Sequence, residues 1–264
     1  MHYPHVYPSP PSPRQPVRSG ESFPEADSDR GREWLELGWF FYLAEIALRR
    51  IMNEALSARY WRGSWYYTTE WWTHEEQGQF QSRVDEFKQK LETWYEMLPP
   101  PMRFPRNANE TVGADPLRGI LRGHFVDILD VVLFPAVHAV VLRDPSEVSQ
   151  SILICARKAL ATAVDRITIS SEGFWHRHQG TWLMIRTCSR SALQLLGVAM
   201  RAQKEGREGR DVAFANDLLP DGWRESVASV IALVAYWEAE SPELTRLLAR
   251  LKELYGRVQD ELML

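Results

Sequence analysis

Apolar residues recur at steps of three and four through most of the chain, the period of a helix face rather than of a strand. Trp34, Leu37, Phe41, Ala44, Leu48, Ile51 and Ala55 share one such face. Glu45 and Arg49 lie four apart beside it, in the order that favours an ion pair. Thr73 with Glu76 three positions on reads as a capping box. It starts a helix whose inner face is Phe80, Val84, Phe87, Leu91 and Trp94, and Pro99–Pro101 stop it. Asp115-Pro116 opens the next helix with an acidic cap and a proline in the first turn. Its most apolar part, Phe125–Leu142, carries Asp127, Asp130, Pro135 and His138. It is too polar and too short for a membrane span and reads as a buried, proline-kinked helix. Asp144-Pro145-Ser146-Glu147 repeats the start signal ahead of an inner face of Ile152, Ala156, Ala159, Ala163 and Ile167. Trp182–Ala202 is apolar on nearly every side and interspersed with small residues, which predicts a central helix. Gln203–Arg210 reads as a solvated loop. Trp223, Val227, Val230, Val234 and Trp237 form a further stripe, and Ser241-Pro242-Glu243 starts a last helix with Leu244, Leu247, Leu251, Leu254 and Val258 inside.

Convincing period-two alternation and strand–glycine–helix units are both missing, and no fixed-period repeat occurs. The pattern therefore predicts an all-α fold, a single bundle-like domain of about seven helices over residues 31–264. Residues 1–30 are rich in Pro and Ser and read as a disordered tail. The aromatic run Trp61–Trp72 reads as a connection between the first two helices.

Composition narrows the chemistry. At 264 residues the chain is long enough to bury a core without staples. Its two cysteines, Cys155 and Cys188, exclude a disulfide scaffold and a self-sufficient zinc cluster. A formal charge of −4 and a pI near 6.0 argue against direct nucleic-acid binding. The basic groups, Arg49 with Arg50 and the set Arg201, Lys204, Arg207 and Arg210, are interleaved with acids. No signal-peptide core stands at the start, so the sequon at Asn109 carries no meaning.

The catalytic signatures are missing as well: no nucleophile elbow, no phosphate loop, no dinucleotide fingerprint and no HExxH. His176 and His178, with Cys188 ten residues beyond, lack the remaining ligands of a metal site. Cys188 lies in an apolar helix, where a thiol stays protonated. Asp127 and Asp130 sit one turn apart and read as solvated helical carboxylates. The reading is of a non-enzyme with no catalytic, metal-binding or DNA-binding residues and no resident cofactor.

Five segments in order carry a family resemblance. FFYLAEIALRRIMNEAL (Phe40–Leu56), LETWYEMLPPPMRFP (Leu91–Pro105) and LRGHFVDILDVVLFPAVHAVV (Leu121–Val141) are the first three. RHQGTWLMIRTCSRSALQLLGVA (Arg177–Ala199) and VIALVAYWEAESPELTRLLARLKEL (Val230–Leu254) complete the set. Together they resemble the fungal-specific transcription factor regulatory domain of binuclear zinc-cluster regulators. The resemblance implies an all-α domain, a nuclear location and control of transcription by RNA polymerase II. It also implies a small-molecule effector and dimerisation with itself or another family member, for which the faces Phe80–Trp94 and Leu244–Val258 are candidates. In that family a separate six-cysteine cluster holding two zinc ions reads DNA. This chain lacks it, so the expectation is a C-terminal fragment, a truncated gene product or a cluster-less relative. Candidate effector residues are Glu45, Arg49, His178, Trp182 and Arg186. The alternative is a cluster-less accessory protein or enzyme of a fungal biosynthetic pathway, with Trp61, Trp65, Tyr66, Tyr67, Trp71 and Trp72 lining an apolar pocket.

Overall fold

Helix-forming periodicity, acidic caps and proline stops resolve into seven α-helices among the described residues of the computed structural model, which are 29–57, 74–113, 115–209 and 217–260. They are α1 (Asp29–Ser57), α2 (His74–Glu96), α3 (Pro116–Leu142), α4 (Gln150–Ser170), α5 (Thr181–Arg207), α6 (Trp223–Trp237) and α7 (Pro242–Asp260). No strand occurs among the described residues, so the fold is all-α. The expected tail up to residue 28, the capping Thr73 and the aromatic run Trp61–Trp72 lie outside the described residues.

α3 packs most extensively on α4 and also meets α1, α2 and α5. α5 joins that group to α6 and α7. One continuous core runs through all seven helices. The predicted faces of α2, α4 and α6 are buried as read. In α7 the buried set is Leu244, Leu248, Leu251, Leu254 and Val258, with Leu247 only half-buried. The stripes Phe80–Trp94 and Leu244–Val258, candidates for a dimer face, are spent on the chain's own core. α1 follows the prediction from Ala44 to Ala55, but its beginning leaves the core: Trp34 is 68% exposed.

Two boundaries differ from the sequence reading. Asp144–Glu147 does not cap α4; Asp144 Oδ1 accepts from the Ser146 N–H at 3.0 Å and closes a separate short turn. The Gln77 side chain of α2 then takes the Ser149 N–H (2.8 Å) and donates to the Glu147 carbonyl (2.9 Å), so α4 starts afresh at Gln150. Residues 203–207 continue α5 rather than forming a loop. Glu205 is buried against Arg201 at 2.7 Å, and Gln203 donates to the Val258 carbonyl of α7. α5 takes the central place predicted, meeting α3, α4, α6 and α7, while its apolar Trp182 and Leu183 stay exposed at the start.

α3 is 27 residues long and passes through Pro135 without interruption. Its best 18-residue window has a mean hydropathy of 2.1, long and apolar enough to cross a membrane, against the expectation. Of that window 61% is buried inside the protein, which also accounts for its apolarity as a core helix. Asp115 Oδ1 caps α3 as predicted, accepting from the Leu117 N–H at 3.0 Å. The loop ahead of it is pinned rather than loose. Arg122 donates to the carbonyls of Asn107 and Glu110, and Tyr95 donates to the Phe104 carbonyl. Arg106 lies over the rings of Tyr95 and Phe125 while pairing with Glu92.

Candidate functional site

The chemistry of this chain concentrates on one turn-by-turn series of α3. His124, Asp127 and Asp130 are spaced by three residues, and each step of three rotates the side chain back by about 60° around the axis. The series therefore fans out toward three neighbours. His124 Nδ1 bonds Glu45 Oε2 of α1 at 2.8 Å. Asp127 Oδ1 accepts from Arg166 Nη2 of α4 at 2.5 Å. Asp130 Oδ2 accepts from Arg190 of α5, and Asp130 Oδ1 from Gln194 Nε2 at 2.9 Å. Asp130 is fully buried, and Asp127 is 15% exposed. The expectation of solvated carboxylates is thus corrected: both acids face inward, and each has found a basic partner one or two helices later in sequence.

Electrostatics follow the burial. Desolvation pushes the Asp127 carboxyl above its ordinary range, and Arg166 and His124 only partly oppose it. Burial also works against ionising Glu45, but hydrogen bonds from His124 and from Arg49 Nε (2.7 Å) outweigh it, so its pKa is lowered. An ionised Glu45 only accepts, so His124 Nδ1 carries a proton and donates it to this bond. Arg166 is 4% exposed; its Nη2 also donates to the Gly123 carbonyl at 2.7 Å, while its Nε has no partner.

His124, Asp127 and Arg166 line a cleft of about 970 Å³. Its other walls are the 108–113 loop, the first turns of α3, the end of α4, the Ser171–Gly173 turn and the start of α5. The volume is at the upper end for a small-molecule site. Leu117, Ile120, Leu183 and Met184 supply apolar wall. His178 stands at the rim, its Nδ1 accepting from the Gly180 N–H at 3.1 Å. The approach is close on both sides: a Cβ at Gly173 or Gly180 would come within 3.1 or 3.3 Å of the His178 ring, which would have to give by a few tenths of an ångström.

No protein-family model, no curated protein and no solved structure matches this chain.

Of the residues singled out from sequence, Glu45 and His178 are brought to this region, one behind the cleft and one at its rim. Arg49 is exposed and reaches the site only through Glu45. Trp182 and Arg186 are exposed and do not line the cleft. His178 is engaged by Gly180, and no group of three His, Cys, Asp or Glu side chains able to hold a metal ion occurs among the described residues. Cys155 and Cys188 are buried, and burial pushes each thiol up to about 11. His124 and Arg166 are the residues that sequence reasoning missed. Two acids and a histidine at three-residue spacing on an otherwise apolar helix were the available signal.

Proposed function

We propose that this chain is an effector-sensing regulatory domain of a fungal transcriptional regulator, acting in the nucleus. The family resemblance of its ordered helical segments supports that reading, and one structural observation carries it. The cleft is lined by His124, Asp127 and Arg166, which tie α3 to α1, through Glu45 behind the cleft, and to α4. A molecule that touches those groups changes the balance between alternative packings of three helices, which is how occupancy becomes an altered surface. Dimerisation with itself or a relative belongs to the same reading.

The test is a fusion of the whole chain to an unrelated DNA-binding domain, read by a reporter gene. The expected result is a reporter level distinct from that of the DNA-binding domain alone. Leu183→Trp, which narrows the cleft from an exposed position, is expected to shift that level without changing the amount of protein. A reporter level equal to the control for both forms refutes the proposal.

A second reading, a biosynthetic accessory enzyme, is favoured by the Glu45–His124 pair, a carboxylate that orients an imidazole lining the cleft. The two readings separate by mass spectrometry of a molecule bound in the cleft. A sensor returns it unchanged, and an enzyme does not.

A further inference from the structure

We propose that α1 pairs antiparallel with α1 of a second copy of this chain, through the side that faces away from the core. Self-association belongs to the regulatory reading above. The inference deepens that reading by naming the surface, and it stands on α1 rather than on the cleft. The stripes of α2 and α7 are spent inside the protein, so the surface has to come from elsewhere.

α1 has two apolar sides. Ala44, Leu48, Ile51 and Ala55 are buried and seat the helix on the core. On the opposite side Leu35 is 49%, Tyr42 57% and Ile46 47% exposed. With Trp39, which stacks on Tyr42, they step by four, three and four, the seam spacing of a helix that pairs with another helix. Single exposed apolar residues need no explanation, whereas a row of them along one helix marks an interface. The row continues through Arg49 and Asn53 to the exposed Leu56. The two halves of the helix complement each other. From Glu33 to Leu43 every side chain is exposed or half-buried. From Ala44 onward the helix is seated, and its outer side borders a concavity of about 580 Å³ lined by Ile46, Arg49, Arg50, Asn53, Glu54 and Ser57. In an antiparallel pair the open half of each copy lies along the seated half of the other.

Charge selects the partner and its direction. Glu36 and Arg50 each follow a seam residue, Leu35 and Arg49, and so lie on the same flank of the seam. Glu36 is exposed and has no ion-pair partner among the described residues. Arg50 stands 3.9 Å from Glu54, which Lys90 already holds at 2.9 Å. In an antiparallel pair this flank meets the same flank of the other helix. Glu36 of one copy then faces Arg50 of the other, and the two-fold axis makes the contact twice. The same register sets Leu35 against Asn53 and Trp39 against Arg49, at the concavity. A parallel pair keeps the two charges about 21 Å apart along the seam. Arg49 and Asn53 weaken the seam and fix its register, as polar residues at such positions do.

The test is analytical ultracentrifugation of the whole chain at about 2–100 μM. The expected result is a reversible equilibrium between a monomer of 30.6 kDa and a dimer of twice that mass. Ile46→Glu, at an exposed position, is expected to weaken the dimer about tenfold or more with an unchanged helical signal. Glu36→Arg and Arg50→Glu each set like charges across the seam twice, and each is expected to weaken the dimer about three- to tenfold. Mixed in equal amounts, these two variants restore both opposite-charge contacts and are expected to form a heterodimer within about twofold of the parent affinity. The mixture separates a second copy from every other occupant, because a contact within one chain is not repaired by another chain. The inference is overturned if the parent stays monomeric over that range, if Ile46→Glu leaves the dimer intact, or if the mixture is no tighter than either variant alone. A monomeric parent leaves the effector reading to the reporter fusion, which needs no dimer. A reporter level equal to its control discards that reading and leaves the dimer standing.

Discussion

Arg166→Met keeps most of the side-chain stem and deletes the guanidinium. Asp127 is then left 15% exposed with no cation, and the Gly123 carbonyl loses its side-chain donor. Breaking a buried pair from one side costs about 3–5 kcal/mol at neutral pH, because one charge stays buried and uncompensated. In a chain of this size that corresponds to a fall in Tm of roughly 6–20 °C. Asp127→Leu combined with Arg166→Met removes both charges and is expected to lie within about 1–2 kcal/mol of the parent. The sign of the pH dependence separates this from a packing defect. Burial already holds the folded Asp127 carboxyl above its unfolded value, so its contribution is fully present below about pH 3.9 and is lost as pH rises through the folded value. Removing Arg166 pushes the folded value further up. The deficit of Arg166→Met is therefore expected to be small near pH 4 and full at pH 7. Urea unfolding followed by far-ultraviolet circular dichroism at both values measures it. A deficit under about 1 kcal/mol at pH 7, or one of equal size at both values, refutes the assignment of a buried charge pair.

Other consequences follow from the same contacts. The lowered Glu45 carboxyl contributes stability above about pH 4.3 that is lost as pH falls through the folded value. Glu45→Gln should cost about 1–2 kcal/mol at pH 7 and flatten that acid limb in melts taken from pH 3 to 7. Trp237 Nε1 donates to the Phe174 carbonyl at 2.8 Å in a buried position. Trp237→Phe leaves that carbonyl unmet and should cost about 1–3 kcal/mol in the same unfolding assay. Cys155 and Cys188 are buried and held near 11, so a disulfide reagent at pH 8 should label neither in the native protein and both in 6 M guanidinium. Rapid native labelling would contradict their packing. Gly222 precedes α6 at φ +73°, where an alanine is strained although space is free. Gly222→Ala should lower stability by about 1 kcal/mol, read from the same melts.

Local signals carried the helix faces because they need only neighbours in sequence. Asp115 ahead of Pro116 caps α3 as its chemistry requires, and Phe80, Val84, Phe87, Leu91 and Trp94 are all buried. Where a partner came from far along the chain, the sequence reading went astray. Asp144–Glu147 has every local feature of a helix start, yet Gln77, some 70 residues earlier, captures the turn and moves the start to Gln150. Residues 203–207 look solvated, yet they stay helical where α7 packs against α5, with Glu205 on Arg201 and Gln203 on Val258.

The candidate site divides along the same line. Asp127 and Asp130 were legible as neighbours on one side of α3, because the helical repeat alone places them there, and His124 one step earlier was missed. Helical class, the approximate number of helices and the lack of catalytic motifs likewise came from the sequence itself. That this side of α3 is buried, that Asp127 meets Arg166 and Asp130 meets Arg190, and that a cleft opens beside them came only from the packing of α3 against α1, α4 and α5. A helix face is set by the repeat of the backbone, within a few residues. An ion pair and a cavity are set by which surfaces the whole chain brings together, and no local pattern encodes that choice.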